Sequence, residues 1–152
     1  MGSVDRVRDY LRSQGMDQEI REFDSSTKTS ALAAEALGCS LGEIAKSVVF
    51  RGGRVCVVVI SGDRRVSTEK LGALLGESCR VADADEVREG TGYPIGGVPP
   101  FPHRPDVLVL VDRSLARFTQ VWAAAGAPNA VFRAAPDQLL KVLQTEPRDL
   151  SA

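Results

Sequence analysis

The chain has 152 residues, 43% of them hydrophobic and 26% charged, with a formal net charge of −1. That length fits one domain burying roughly two thirds of the surface its unfolded chain exposes, and the near-zero charge excludes a broad basic surface able to wrap long nucleic acids. No run approaches the ~18 apolar residues of a membrane helix, and the charged start MGSVDRVRDY lacks the apolar core of a signal peptide, so a cytoplasmic protein is expected.

Val4, Val7 and Leu11 recur at helical spacing and Gly15 supplies a left-handed terminator, which predicts a helix over residues 4–14. Residues 19–24 read as a short edge strand and the polar run 25–30 as a connecting loop. The alanine-rich segment 31–37 is strongly helical and stopped by Gly38. Ser40 and Glu43 have capping-box spacing, so a helical turn begins near Leu41. Two valine-rich stretches, 47–51 and 54–60, flank Gly52-Gly53, a pair able to take the positive φ values of a two-residue primed turn. Apolar residues fall on both faces of the second stretch, which predicts a central strand covered on both sides.

Gly62-Asp63 marks a turn, and Ser67 caps a helix whose buried stripe is Leu71, Leu74 and Leu75 before Gly76. Asp83 and Glu86 open a short helix through Arg88, ended by Gly90. Residues 90–105, GTGYPIGGVPPFPHRP, are too rich in glycine and proline for helix or central strand. A loop of that length inside a compact domain is functional or disordered, and Tyr93, Ile95, Val98 and Phe101 are too apolar for disorder, so a pocket wall is expected. Residues 106–111 form another buried strand ending at Asp112, and 120–133 read as a hairpin. Pro136 opens a last helix bearing Leu139, Leu140 and Leu143, and the tail from Thr145 is expected to be loose.

Chemistry-bearing residues are few. Lys46 stands where the capped turn hands over to buried sheet; a strand-edge lysine ordinarily snorkels to solvent, but at a cleft it presents a cation beside apolar walls. His103 is the sole histidine, so no His-based metal site can be built and any triad would have to use it; its ordinary reading is a loop residue. Asp112 and Ser114 near a strand end can line a pocket, though Asp-Arg-Ser is also an ordinary turn. Cys39, Cys56 and Cys79 are odd in number and lack a CxxC pair, which argues for reduced thiols, and burial of Cys56 in the central strand suppresses its nucleophilicity. Gly90, Gly92, Gly96 and Gly97 match neither P-loop nor dinucleotide-binding spacing; they suit close backbone approach.

Taken together, TSALAAEALGCSLGEIAKSVVFR (29–51), TGYPIGGVPPF (91–101), LVDRSL (110–115) and VWAAAGAPNAVFRAAPDQL (121–139) resemble the YbaK/EbsC family. These are aminoacyl-tRNA deacylases related to the editing domain inserted in bacterial prolyl-tRNA synthetases. The resemblance covers nearly the whole chain in order. It implies a mixed α/β (α+β) fold with a curved, partly barrel-like mixed sheet and surrounding helices, forming a single editing domain over 1–152. It further implies a trans-editing role, hydrolysing the ester of a small amino acid mischarged on tRNA-Pro or a similar tRNA. The partner is then the tRNA acceptor end, with an aminoacyl-tRNA synthetase as a second candidate, and no cofactor, metal or membrane is expected.

Lys46 matches the family's functionally important lysine, and Gly92, Gly96, Gly97 and Pro100 match its glycine-proline loop. Pro102-His103 departs from the family pattern, which carries glycine before the histidine. The implied site takes Lys46, Gly96 and Gly97 as catalytic, and Thr29, Ser47, Gly92, Tyr93, Pro100, Phe101, His103, Asp112 and Ser114 as substrate-binding. Ester hydrolysis builds an oxyanion, for which amides freed from secondary structure at Gly96-Gly97 are suitable donors. The Lys46 ammonium can hold a phosphate or the ester carbonyl as a point charge. The resemblance suggests that the substrate's own ribose hydroxyl activates the water, the protein supplying position and electrostatics. Two other classes stay open: a catalytically silent module of the same fold that binds aminoacyl-tRNA or a synthetase, and an unrelated hydrolase of simple esters. An intact Lys46 and glycine loop favour the deacylase.

Overall fold

The two valine-rich stretches pair as an antiparallel hairpin at the centre of the molecule, β2 (Ile44–Arg51) with β3 (Val55–Ser61), in a computed structural model that describes residues 2–16, 18–24 and 29–152. Every residue of β3 is buried. Its odd positions Val55, Val57 and Val59 join a core with Val7, Leu11, Tyr93, Phe101, Phe132 and Leu139, while Cys56, Val58 and Ile60 face a second cluster with Phe50, Leu71, Leu110 and Leu150. Apolar material on both faces explains the missing alternation, and each fully buried valine contributes about 1.5–3 kcal/mol relative to exposure.

Around this hairpin the sheet runs β1 (Ile20–Glu22), β7 (Ala130–Ala134), β6 (Val121–Ala124), β2, β3, β5 (Leu108–Val111), with β4 (Arg80–Val81) pairing with β2 beside the main path. The β2–β6 and β3–β5 pairs are parallel and the others antiparallel, so the sheet is mixed. It does not close: β1 pairs with β7 alone and β5 with β3 alone among the described residues, so the expected barrel character is limited to an open sheet. Five helices surround it: α1 (Ser3–Ser13), α2 (Ser30–Leu37), α3 (Thr68–Leu75), α4 (Ala84–Thr91) and α5 (Pro136–Leu143). The edge strand, the β6–β7 hairpin and the proline-opened last helix all form as the sequence predicts.

Several local expectations are corrected. The β2–β3 turn has three residues, since Arg51 pairs with Val55, and neither Gly52 nor Gly53 has positive φ. The glycines are needed for close approach instead: Gly53 N–H donates to Glu77 Oε1 at 2.8 Å, and a Cβ at Gly53 would meet Glu77 Oε2 at 2.6 Å. Helix α4 runs through Gly90, which lies against Val55, and stops at Gly92 in the left-handed region. Leu74 is 44% exposed, so the buried side of α3 rests on Leu71, with Leu75 partly covered. Of the predicted loop 25–30, residues 25–28 lie outside the described residues, while Thr29 caps α2 and Ser30 begins it.

The tail is not loose. Leu150 is buried, its N–H donates to Asp112 Oδ1 at 2.7 Å, and its carbonyl accepts from Ser67 N–H at 2.7 Å. A buried carboxylate with backbone donors to satisfy outweighs the entropy of a short terminal segment.

Candidate functional site

The pocket arises from a break in strand pairing. On its β3 side, β2 is paired from Ala45 to Arg51; on the opposite side the parallel ladder with β6 ends at Ala45–Ala123, and pairing resumes only at Phe50–Val81 with β4. Lys46, Ser47 and Val48 are therefore left without a strand partner on that edge among the described residues. The gap is bordered by Thr29, Ser30 and Ala33 of the α2 start, Gly96 and Val98 of the glycine-proline loop, and Ala124, Pro128, Ala130 and Val131 of the β6–β7 hairpin. The pocket is small, about 90 Å³, and open to solvent on one side.

The approach to Lys46 is set by a capped turn and a hydrogen-bond network behind it. Residues Leu41–Glu43 form a 3-10 turn in which the Glu43 carboxylate accepts from Ser40 N–H at 3.0 Å and Ser40 Oγ at 2.8 Å. Ser61 Oγ donates to the Gly42 carbonyl and accepts from Arg117 Nη2 at 2.9 Å. Arg117 also grips Asp63 with both terminal nitrogens, at 3.1 and 2.7 Å. Hydrogen bonding from Arg117, partly opposed by burial, holds the Asp63 carboxyl at about 2.

Asp63 is thereby committed to Arg117 and Arg64, and Lys46 makes no ion pair among the described residues. Burial first, then the positive charge of Arg65, pushes the half-buried Lys46 ammonium below the ordinary lysine range, against an upward pull from Asp63. Beside it the Ser47 hydroxyl is buried without a hydrogen-bond partner among the described residues. Such a group costs about 1–3 kcal/mol unless something else fills its valence. Thr29 Oγ1 accepts from Leu32 N–H at 3.2 Å, capping α2 at the pocket rim.

The two central glycines of the loop behave differently. Gly97 N–H donates to the Pro94 carbonyl at 2.9 Å and its own carbonyl accepts from Gly126 N–H at 3.0 Å, so its amide is engaged within the loop. A Cβ on Gly97 would lie 2.7–2.9 Å from the backbone of Ala127, which fixes the loop against the β6–β7 hairpin. Gly96, at φ +83°, and Val98 line the pocket and carry amides with no recorded partner among the described residues.

Of the sequence-predicted residues, Lys46, Ser47, Thr29 and Gly96 meet at this pocket and Gly97 supports it. The others do not reach it. Tyr93 and Phe101 are core residues, Tyr93 Oη donating to the Pro102 carbonyl at 2.9 Å, and Pro100 is buried outside the lining. Gly92 and His103 border a separate depression with Arg6, Thr91, Pro102 and Arg104. Burial lowers the His103 pKa, against a contact from Nε2 to the Pro99 carbonyl at 2.7 Å, so the ring is neutral with Nε2–H donating. Asp112 is completely buried and accepts from Ser114 N–H at 2.9 Å, Leu150 N–H at 2.7 Å and Ser151 Oγ at 2.8 Å, contacts that anchor the tail. Burial raises its pKa, but those hydrogen bonds outweigh it and leave the carboxyl below its usual range. Ser114 Oγ accepts from Ser61 N–H at 3.2 Å.

Val98 lies in the loop expected to wall a pocket, but sequence reasoning missed Ala33, Ala124, Pro128 and Val131 of the apolar wall, because only the meeting of three chain-distant segments makes them neighbours. Burial pushes the Cys56 thiol up to about 12, which leaves no thiolate near neutrality. No group of three His, Cys, Asp or Glu side chains is arranged to hold a metal among the described residues.

An open mixed sheet of seven strands with five helices around it defines a mixed α+β domain, and the gap in its pairing holds a small pocket with a lysine on its wall. The chain belongs to the aminoacyl-tRNA editing domain family (YbaK family), whose profile matches residues 24–142. It is 37% identical over 139 residues to the uncharacterized protein YwhH of Bacillus subtilis, covering 90% of this chain and 88% of that one. It is 27% identical over 154 residues to the multifunctional Ser/Thr-tRNA deacylase ProXp-y of Escherichia coli, covering 95% and 92%. Among solved structures, a candidate trans-editing enzyme for prolyl-tRNA synthetase superposes with a TM-score of 0.91 at 38% identity, over 100% of this chain and 98% of that one.

Proposed function

We propose that the protein is a trans-editing deacylase that hydrolyses the ester between a small amino acid and the terminal adenosine of a mischarged tRNA. The observation that carries the reading is the juxtaposition, at one small pocket, of an ammonium without an ion-pair partner, a buried unpaired hydroxyl and two amides without acceptors, all among the described residues. Together they suit an ester that brings a carbonyl, an amino group and ribose oxygens.

In this reading the amino acid's side chain enters the wall formed by Ala33, Val98, Ala124, Ala130 and Val131. The pocket's small size and closely packed apolar wall suit alanine, serine or cysteine better than an aromatic ring. The ester carbonyl turns toward Lys46 and the Gly96 and Val98 amides. As water attacks, the carbonyl π electrons move to oxygen and the tetrahedral oxyanion is met by these preorganised donors. Collapse expels the ribose oxygen, which takes a proton, leaving free amino acid and uncharged tRNA. The neighbouring ribose hydroxyl of the substrate positions and relays the proton of the attacking water, and the enzyme contributes orientation and field. Mischarged tRNA-Pro is the first substrate to test, given the description of the structural relative.

The test is release of labelled amino acid from a panel of mischarged tRNAs. Alanyl, seryl or cysteinyl esters should be cleaved and phenylalanyl or tyrosyl esters spared. Equal cleavage of aromatic esters would overturn the pocket assignment. Retained tRNA binding with no release from any ester would make the protein a silent binding module.

A further inference from the structure

Next to the pocket, the outer face of the sheet carries the chain's single tryptophan between two arginines. Trp122 of β6 pairs across the sheet with Arg133 of β7, and Arg21 of β1 pairs with Val131. The guanidinium carbons of Arg21 and Arg133 lie 5.1 and 5.6 Å from the indole centroid. Both arginines are exposed, and neither makes an ion pair among the described residues. They border a depression of about 480 Å³ shared with Trp122, Gln18, Glu19, Gln120 and Gln138. Gln18 and Gln138 are joined by an amide hydrogen bond at 2.9 Å, and Glu19 is the one carboxylate of that lining.

This face is continuous with the Lys46 pocket. Trp122 packs on Ala33, Ala34 and Ile44, and Ala33 and Ile44 are also pocket walls. Ile44 is the direct cross-strand partner of Trp122, and Val131, another wall residue, is the partner of Arg21. Paired strands lie about 4.8 Å apart, so Trp122 stands one strand spacing from the Ile44 wall of the pocket.

We propose that the Arg21–Trp122–Arg133 face binds the unpaired nucleotides immediately preceding the terminal adenosine of the RNA whose ester enters the Lys46 pocket. The inference rests on the functional reading above and extends it to the partner's next residues. Single-stranded RNA is held by stacking of bases on aromatic rings and guanidinium planes, and by arginine forks on phosphate; the glutamine amides can meet base edges. A slightly acidic molecule cannot hold a long duplex by charge, but two exposed arginines beside an indole, without ion pairs among the described residues, suit a short single strand.

Because Trp122 is the only tryptophan, its fluorescence reports this face directly and needs no catalysis. Uncharged tRNA should quench it, and the same tRNA trimmed of its unpaired 3′ nucleotides should not. Equal quenching by both, or no change with intact tRNA at concentrations where labelled-tRNA anisotropy shows saturation, overturns the proposal; so does absence of any tRNA binding. Kinetics supply the second arm. Trp122→Ala should raise KM for mischarged tRNA by about 5- to 160-fold, the span of one base-on-aromatic stack, while hydrolysis of a minimal aminoacyl-adenosine is unchanged. Trp122→Phe should recover much of that loss. The exposed pair Arg21→Gln with Arg133→Gln should lower the salt slope of binding by ~0.7 per lost phosphate contact. Equal loss on tRNA and on aminoacyl-adenosine would make Trp122 a structural prop. If the wild-type protein cleaves no ester, the deacylase reading fails separately and the fluorescence result still judges this face.

Discussion

Replacing Lys46 by methionine removes the ammonium while keeping most of its aliphatic stem, which isolates the charge. Lys46 is half-buried and makes no ion pair among the described residues, and burial lowers its pKa, so the fold bears the charge at a cost. Its folded pKa lies below its unfolded value. The charged form is therefore the disfavoured one in the fold: the penalty is present below the folded pKa and fades as pH rises toward the unfolded value near 10.4. Lys46→Met should accordingly leave stability within about 1 kcal/mol of wild type, with no loss at neutral pH. The rate is another matter. Loss of one positioned donor to a developing oxyanion in a water-poor site costs ~2.7–4 kcal/mol, or roughly a hundred- to thousandfold. The wild-type rate, corrected for spontaneous ester hydrolysis, should also decline as pH rises through the lowered Lys46 pKa, and the methionine variant should lack that limb. Single-turnover deacylation across pH, with thermal melts on the same samples, decides the matter. A wild-type rate in Lys46→Met would reduce Lys46 to a snorkelling lysine, and a melting temperature lower by more than about 4 °C, beyond 1 kcal/mol for a chain this size, would make its role structural.

Ser47→Ala removes a buried hydroxyl that has no partner among the described residues, so it should leave stability unchanged or raise it by up to about 1 kcal/mol, while lowering deacylation; a marked loss of stability would refute this. Gly97→Ala forces a methyl into the Ala127 backbone and should cost about 1–3 kcal/mol together with pocket activity, read by melts and kcat/KM; a stable, active variant would refute the packing argument. Asp112→Ala strips acceptors from two backbone amides and Ser151, so it should destabilise by about 3 kcal/mol and free the tail to proteolysis, with KM for the ester unchanged below the transition; a selective rise in KM would return Asp112 to the substrate site. Binding of tRNA should show a shallow salt dependence, and a slope typical of ~6–10 phosphates would demonstrate a far larger contact surface.

Much of the fold was legible because its signals are local. Val4, Val7 and Leu11 repeat at helical spacing, Ser67 and Asp83 cap helices within three residues of themselves, and the valines of β3 could only belong to a strand covered twice. Lys46, Ser47, Thr29 and Gly96 were legible through family resemblance, as members of runs adjacent in the chain. What the sequence could not decide was set by contacts between distant segments. Gly52-Gly53 looks like a primed turn until Glu77, 24 residues away, accepts from its amide. The tail looks free until Asp112 binds it, and the Gly97 amide looks free until Pro94 takes its N–H. Tyr93, Phe101 and Asp112 are polar or aromatic residues near a pocket in sequence but core and anchor residues in space. The pocket itself exists because β6 leaves β2 after Ala45 and β4 does not rejoin until Phe50, a register fact that depends on where three strands meet. Local patterns determine which segments are helix or strand, since hydrogen bonds and side-chain periodicity there involve near neighbours; which backbone groups stay unpaired is decided only when the whole chain has packed.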